Sequence, residues 1–264
     1  MVNFSTNLTA EPGDWSRHLG FYSILKAAHT KPSDRFEFLE VGVWAGWSTA
    51  SWLKALRKMK MDFHITVIDN WNPGYTAADI YANEHYGRMN AMAHSGHIET
   101  LFRANMSELC SSDEITILKD ESSVALNSLP HGYFDCISLD ANHLYDAVLE
   151  DLRLAIPLLK ETGILCGDDL EIPFNEIPES FDFKSAREWE YLSSGRGFHP
   201  GVTLAVWETF GKVKIWNGLF VVGKQGQDLV NVVFPSKFQM FFARKPYSSN
   251  LQYLQLIFYR VRVS

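Results

Sequence analysis

The chain has 264 residues, 46% of them hydrophobic and 21% charged, which suits a folded domain with a sizeable core. Its net charge of −7, from 31 acidic and 24 basic residues, argues against a protein that grips nucleic acid through phosphates. No run approaches the ~18 apolar residues of a membrane span, and Met1–Trp15 lacks the basic start and apolar stretch of a signal peptide. The three cysteines, Cys110, Cys136 and Cys166, show no C-x-x-C spacing. The expectation is a cytoplasmic protein with no disulfide framework and no thiolate zinc site.

Residues 1–13 read as a polar lead-in, and the apolar spacing from Trp15 to Ala28 predicts a helix. The stretch FEFLEVGVWAGWS predicts a buried strand, Phe36–Val41, then a tight turn through Gly42 and Gly46. A helix follows with Trp52, Leu53, Leu56 and Met59 on one face and Ser48 or Thr49 placed to cap it. Strand, glycine turn and helix start together make a cradle for a small ligand. A dinucleotide-binding dehydrogenase would show G-x-G-x-x-G here. This chain shows Glu40-x-Gly42-x-x-x-Gly46, and an ordinary turn with incidental glycines is the alternative. The second strand, Phe63–Ile68, ends in Asp69-Asn70-Trp71. An acid at that tip holds ribose hydroxyls in many such folds; the alternative is turn initiation before Asn72-Pro73-Gly74.

Residues 71–113 form a long insertion, read as two helical pieces and as a cover over the substrate side. His85, His94 and His97 within it match no zinc spacing. A third strand, Ile115–Leu118, leads to Asp120-Glu121-Ser122 and a short helix. Phe134–Leu139 is a buried strand ending at Asp140. Asp146–Leu159 is amphipathic, with Pro157 placed to bend or end it, and Gly163 makes the turn into a fifth strand, Ile164–Gly167, tipped by Asp168-Asp169. Three carboxylates converging on the strand ends would repel one another unless a cation or a proton offsets them. His143 lies three residues past Asp140, placed either to accept a proton from a substrate hydroxyl or to steady a carboxylate. Glu171–Gly201 is irregular and reads as the other wall of the substrate site. A helix over Val202–Phe210 precedes a hairpin around Asn217-Gly218. The domain is expected to span 1–230. Residues 231–264 form a basic, aromatic extension that packs on the domain or on a dimer partner, a membrane-surface helix being the weaker alternative.

FLEVGVWAGWST resembles the first motif of class I S-adenosylmethionine-dependent methyltransferases, an acid followed by G-x-x-x-G. The turn Asp140-Ala141-Asn142-His143-Leu144-Tyr145, then Pro157-Leu158-Leu159-Lys160, Gly163 and Asp168-Asp169, is similar to a subgroup of small-molecule O-methyltransferases with a D-G-x-H-x-Y-like turn. Ala141 and Thr162 depart from that pattern where glycines are usual. The likeness covers about Phe36 to Lys224. It implies a doubly wound, Rossmann-like α/β fold with a mostly parallel seven-stranded sheet and an antiparallel edge hairpin.

The resemblance also implies roles. Glu40, Gly42, Gly46 and Ser48 would border the methionine and ribose portions of S-adenosylmethionine, Asp69, Asn70 and Trp71 the ribose, and Glu121 and Ser122 the adenine. Asp140 would face the sulfonium, with His143 as the base. Asp140, Asp168 and Asp169 would hold Mg²⁺, whose oxygen-only coordination they suit. The expected activity is methyl transfer to a hydroxyl of a sugar, phenol or natural-product intermediate. A nucleotide-dependent oxidoreductase and a non-catalytic scaffold on the same fold are the alternatives.

Overall fold

The computed structural model describes residues 20–29, 35–72, 74–82, 84–226 and 228–232. The whole N-terminal lead-in, the 15–19 part of the first expected helix and the 233–264 part of the expected C-terminal extension lie outside them. Helix α1 is Phe21–Ala28; β1 (Phe36–Val41), α2 (Trp47–Lys58) and β2 (Phe63–Ile68) form the first parallel unit. The insertion holds α3 (Ala77–Ala82), α4 (Glu84–His94) and α5 (His97–Leu109), three helices where two were expected, with left-handed Gly96 separating the last two. Then come β3 (Ile115–Leu118), α6 (Ser122–Ser128), β4 (Phe134–Leu139), α7 (Tyr145–Ala155) and β5 (Leu159–Gly167). A two-stranded ribbon, β6 (Glu190–Tyr191) and β7 (Gly197–Phe198), precedes α8 (Pro200–Phe210), β8 (Ile215–Trp216), β9 (Leu219–Gln225) and β10 (Asp228–Asn231).

The main sheet runs β10-β9-β5-β4-β1-β2-β3, with β8 as an eighth strand beside β9. Strands β1 to β5 pair in parallel and β9 joins β5 antiparallel, so the expected hairpin around Asn217-Gly218 is present as β8 and β9. Its edge column is shared: β8 covers the start of β9 and β10 its end. The Asn231 amide joins the two by accepting from Lys214 N and donating to Lys212 O.

All six residues of β1 are buried, as a central strand covered on both faces requires. The two-residue period sends Phe36 and Phe38 to one core, with Trp52 stacked on Phe21 at 3.6 Å. It sends Leu39 and Val41 to the other, with Leu152, Ala155 and Val206. The same period turns Glu40 toward α2.

Two expectations are corrected. Gly163 lies inside β5, where β4 and β5 slip register between Phe134 and Cys136, so the strand begins four residues before that glycine. Neither Ser48 nor Thr49 caps α2. Left-handed Gly46 takes the N-cap position without a side-chain bond, and the two hydroxyls fall in the first turn beside Glu40. Pro157 does end α7, which stops at Ala155 and passes into a single tight turn, Ile156–Leu158.

Candidate active site

The strand order reverses between β1 and β4, and at such a switch point the loops leaving neighbouring strands diverge and open a crevice. The tips are level because the ladder continues one residue past each strand: Gly42 N donates to Ile68 O, Asp140 N to Val41 O and Asp168 N to Leu139 O. A cavity of about 740 Å³ lies above them. Eleven residues of the sequence-derived set, from Gly42 to Asp169, line it; Glu40 and Gly46 do not, but their chain neighbours Val41, Ala45 and Trp47 do.

Gly42 has φ +82°, and a Cβ there would overlap the backbone of Asp140 and Ala141. The first loop and the fourth therefore touch through a bare backbone that no other residue permits. Gly42→Ala is expected to lower stability by roughly 2–4 kcal/mol and to abolish cofactor binding; thermal unfolding and calorimetry measure the two. An unchanged cofactor affinity would dissociate this contact from the site.

Glu40 is 1% exposed, and neither carboxylate oxygen has a hydrogen-bond partner. Burial pushes its carboxyl up to about 8; the Ser48 and Thr49 hydroxyls temper the rise, and Asp140 and Asp69 add to it. Those hydroxyls lie close by without bonding geometry, as the equally unpartnered Thr49 Oγ1 shows. A buried orphan carboxyl is costly to keep.

Asp69 differs. Its Oδ2 accepts from Val43 N and Trp44 N at 2.8 and 2.9 Å, and Oδ1 from Trp71 N at 2.7 Å. It ties the first loop to the second and initiates its own turn as well. Burial raises its pKa, and those three N–H groups act against the rise. Trp71 donates its indole N–H to Trp44 O at 2.9 Å, and both tryptophans hold left-handed backbone, φ 53° and 47°. Asn70 donates to Glu121 Oε1 at 2.9 Å, which closes the end of the cavity where Ser122 begins α6.

At the other end stands His143. Its Nδ1 is 2.6 Å from Glu188 Oε1, its Nε2 2.9 Å from Asp169 Oδ2 and 3.9 Å from Asp140 Oδ1. Burial pulls its pKa down, but the three carboxylates outweigh this and hold it well above the ordinary value. Its ring lies 4.4 Å from that of His199, whose Nδ1 is 3.1 Å from Glu171 Oε1. Asp169 holds its place with φ 62°.

Among the described residues three groups bring donor atoms within 4.8 Å: Asp140–His143–Asp169, Asp169–Glu171–His199 and His143–Glu188–His199. Asp168 lines the cavity but enters none of them; its carboxylate accepts the N–H of Asp169 at 2.7 Å. Glu171, Glu188 and His199 are absent from the sequence-derived set. One signal was available for His199, a histidine directly before Pro-Gly at the start of an apolar helix. Gly201 there packs so closely on His143 and Leu144 that a Cβ would overlap their backbone.

A doubly wound sheet with a cavity at its switch point and an unsatisfied acid beneath the first loop is the architecture of a cofactor-dependent α/β enzyme. Residues 39–170, half of the chain, match the family described as a methyltransferase domain. The chain belongs to that family and is a class I S-adenosylmethionine-dependent methyltransferase. The oxidoreductase alternative falls with that membership.

Among solved structures the chain is similar to the O-methyltransferase NovP, at 17% identity over 80% of each chain with a TM-score of 0.53. It is similar to cofactor-bound Rv0187 from MTB at 13% identity over 84% of this chain and 87% of that one, also at 0.53. The SAH-bound Podospora anserina methyltransferase PaMTH1 matches at 21% identity and TM-score 0.38, over 56% of this chain and 51% of that one, so the chain spans about half of its length. These are likenesses of fold. No curated protein sequence matches the chain.

The residues present fit the cofactor. Glu40 offers a buried acceptor that lacks a donor, and the methionine portion of S-adenosylmethionine brings an ammonium. Gly42 lets the first loop approach closely. No helix among the described residues is long and apolar enough to cross a membrane.

Proposed function

We propose that the chain methylates a hydroxyl oxygen of a small molecule, with a divalent cation assisting and His143 as the base. The observation that carries this reading is the placement of His143. Its Nδ1 is anchored on buried Glu188, which leaves Nε2 facing the carboxylates at the ends of β4 and β5. Without a cation the three carboxylates favour the protonated imidazole; a divalent ion held by Asp140 and Asp169 would offset them and leave Nε2 able to take a hydroxyl proton as the oxygen is methylated. S-adenosylmethionine supplies an electrophilic methyl on a sulfonium. What the protein adds is alignment: Glu40, Gly42, Gly46 and Ser48 at the methionine end, Asp69, Asn70 and Trp71 at the ribose, Glu121 and Ser122 at the adenine, and Asp140 beside the acceptor.

Asp140 and Asp169, with Asp168 completing the set, would hold Mg²⁺ or a similar hard cation, which lowers the pKa of a bound hydroxyl. The chemistry of the donor set fits, since clustered carboxylates need an offsetting charge. The three free cysteines accord with action in the cytoplasm. Transfer of a radiolabelled methyl from S-adenosylmethionine to small hydroxyl compounds tests the reading. Activity is expected to fall at least about tenfold when EDTA removes the cation, and full activity in chelator would remove the metal from the account. Methylation confined to nitrogen acceptors would remove the oxygen.

A further inference from the structure

The cavity wall carries a charge pattern that bears on the acceptor. Eight of its lining side chains are carboxylic acids, and among the described residues none is lysine or arginine. Two histidines are the only other titratable cations on that wall. Counted formally, both imidazoliums and one divalent ion leave the acids in excess. Beyond those imidazoliums and that ion, an acceptor bearing phosphate or carboxylate would meet no cationic side chain among the described lining residues, and the acids in excess would repel it. Sites that hold phosphate present arginine, lysine or an open helix N-terminus for it.

The acceptor end is also walled by rings. Tyr75 and Tyr86 stack at 4.2 Å and 19°, and the loop bearing Tyr75 is pinned to α4 by a pair of bonds with Asn90. Both tyrosines lie within electrostatic reach of His143, Glu188 and Asp169, which places this wall over the base. Trp189 and Tyr191 line the same cavity with rings 5.8 Å apart, and Tyr191 is 65% exposed.

We infer that the acceptor is an uncharged or cationic hydroxyl compound with a flat apolar face, and that anionic acceptors, nucleotide-linked sugars among them, are excluded. The inference rests on the hydroxyl-methylating reading above and specifies its substrate class. A neutral phenol and a neutral glycoside share this chemistry, since either presents a ring face to aromatic side chains.

The test is calorimetry on the protein saturated with S-adenosylhomocysteine in magnesium buffer, using matched pairs: catechol against its carboxylated analogue, and a neutral aryl glycoside against its phosphate. The neutral member of a pair is expected to bind at least about 30-fold more tightly than its anionic partner. Which pair binds better separates phenol from sugar. Tyr191→Arg, which places a cation at the rim outside the base and the cofactor loops, is expected to narrow the gap to under about fivefold. An anionic member that binds as tightly as its neutral partner overturns the inference, as does a panel in which no neutral member binds. Radiolabel transfer to the compounds that bind reports separately on the underlying reading. Tight neutral binding with no methylation of oxygen would sink that reading and leave the charge selection standing.

Discussion

Replacing Glu40 by Gln is expected to make the cofactor-free protein more stable and a poor binder of S-adenosylmethionine. The carboxyl titrates at about 8 in the fold against its ordinary 4.5. Below pH 4.5 it is protonated in folded and unfolded chains alike and adds no pH dependence. Between 4.5 and 8 the folded chain retains a proton that the unfolded chain has lost, so stability falls as pH rises, by about 1.4 kcal/mol per pH unit. Above 8 the cost is complete and constant. Glu40→Gln has no proton to gain or lose, so its advantage over the native protein should grow from pH 5 to 8 and then level. For a chain of this size each kcal/mol appears as roughly 2 °C in thermal unfolding.

The same variant should bind S-adenosylmethionine about 30- to 150-fold more weakly, because a buried amide cannot replace a carboxylate opposite an ammonium. Binding to the native protein should release a proton below pH 8 as Glu40 ionises, and binding to the variant should not. Calorimetry in two buffers of different ionisation heat detects it. Equal affinity in both proteins would mean that the orphan carboxyl is not what meets the cofactor.

The second large effect concerns His143. Its replacement by Gln is expected to lower kcat by roughly 10²–10⁴ while the affinity for S-adenosylmethionine changes less than about threefold. The cofactor loops lie at the other end of the cavity. His143 also stands among Asp140, Asp169 and Glu188, so its removal leaves three carboxylates facing one another. Thermal stability should drop, and millimolar Mg²⁺ or Mn²⁺ should restore more of it in the variant than it adds to the native protein. A variant with native kcat would transfer the role of base to another group. A variant indifferent to added cation would count against the metal site.

The candidate site divides by sequence distance. Glu40, Gly42, Asp69, Asp140 and Asp169 all follow runs of Val, Ile, Leu and Phe, and the end of a parallel strand is an address that alternation and glycine make legible. Glu171, Glu188 and His199 follow no such run. They lie in a stretch with neither period, and Glu188 reaches His143 from 45 residues away because a four-residue ribbon and the Gly201 contact place it there. The α5 segment of the insertion is instructive too. The insertion lines the cavity earlier, through Tyr75, Tyr86 and Met89, whereas in α5 Ile98 and Phe102 are fully buried and Asn105 bonds Ala45 O at 2.9 Å. Part of what reads as cover is the buttress of the glycine loop.

The order of the five parallel strands, the parallel core, the glycine bend and the acids at the strand tips were determined by the sequence alone. Each is a local matter of period or of a backbone angle that only one residue tolerates. Tertiary structure decided the rest: that Glu40 is left without a partner, that Asp69 spends its carboxylate on three N–H groups, and that His143 joins Glu188 and His199. Those outcomes depend on burial and on pairings between distant segments, and no short window of sequence carries either.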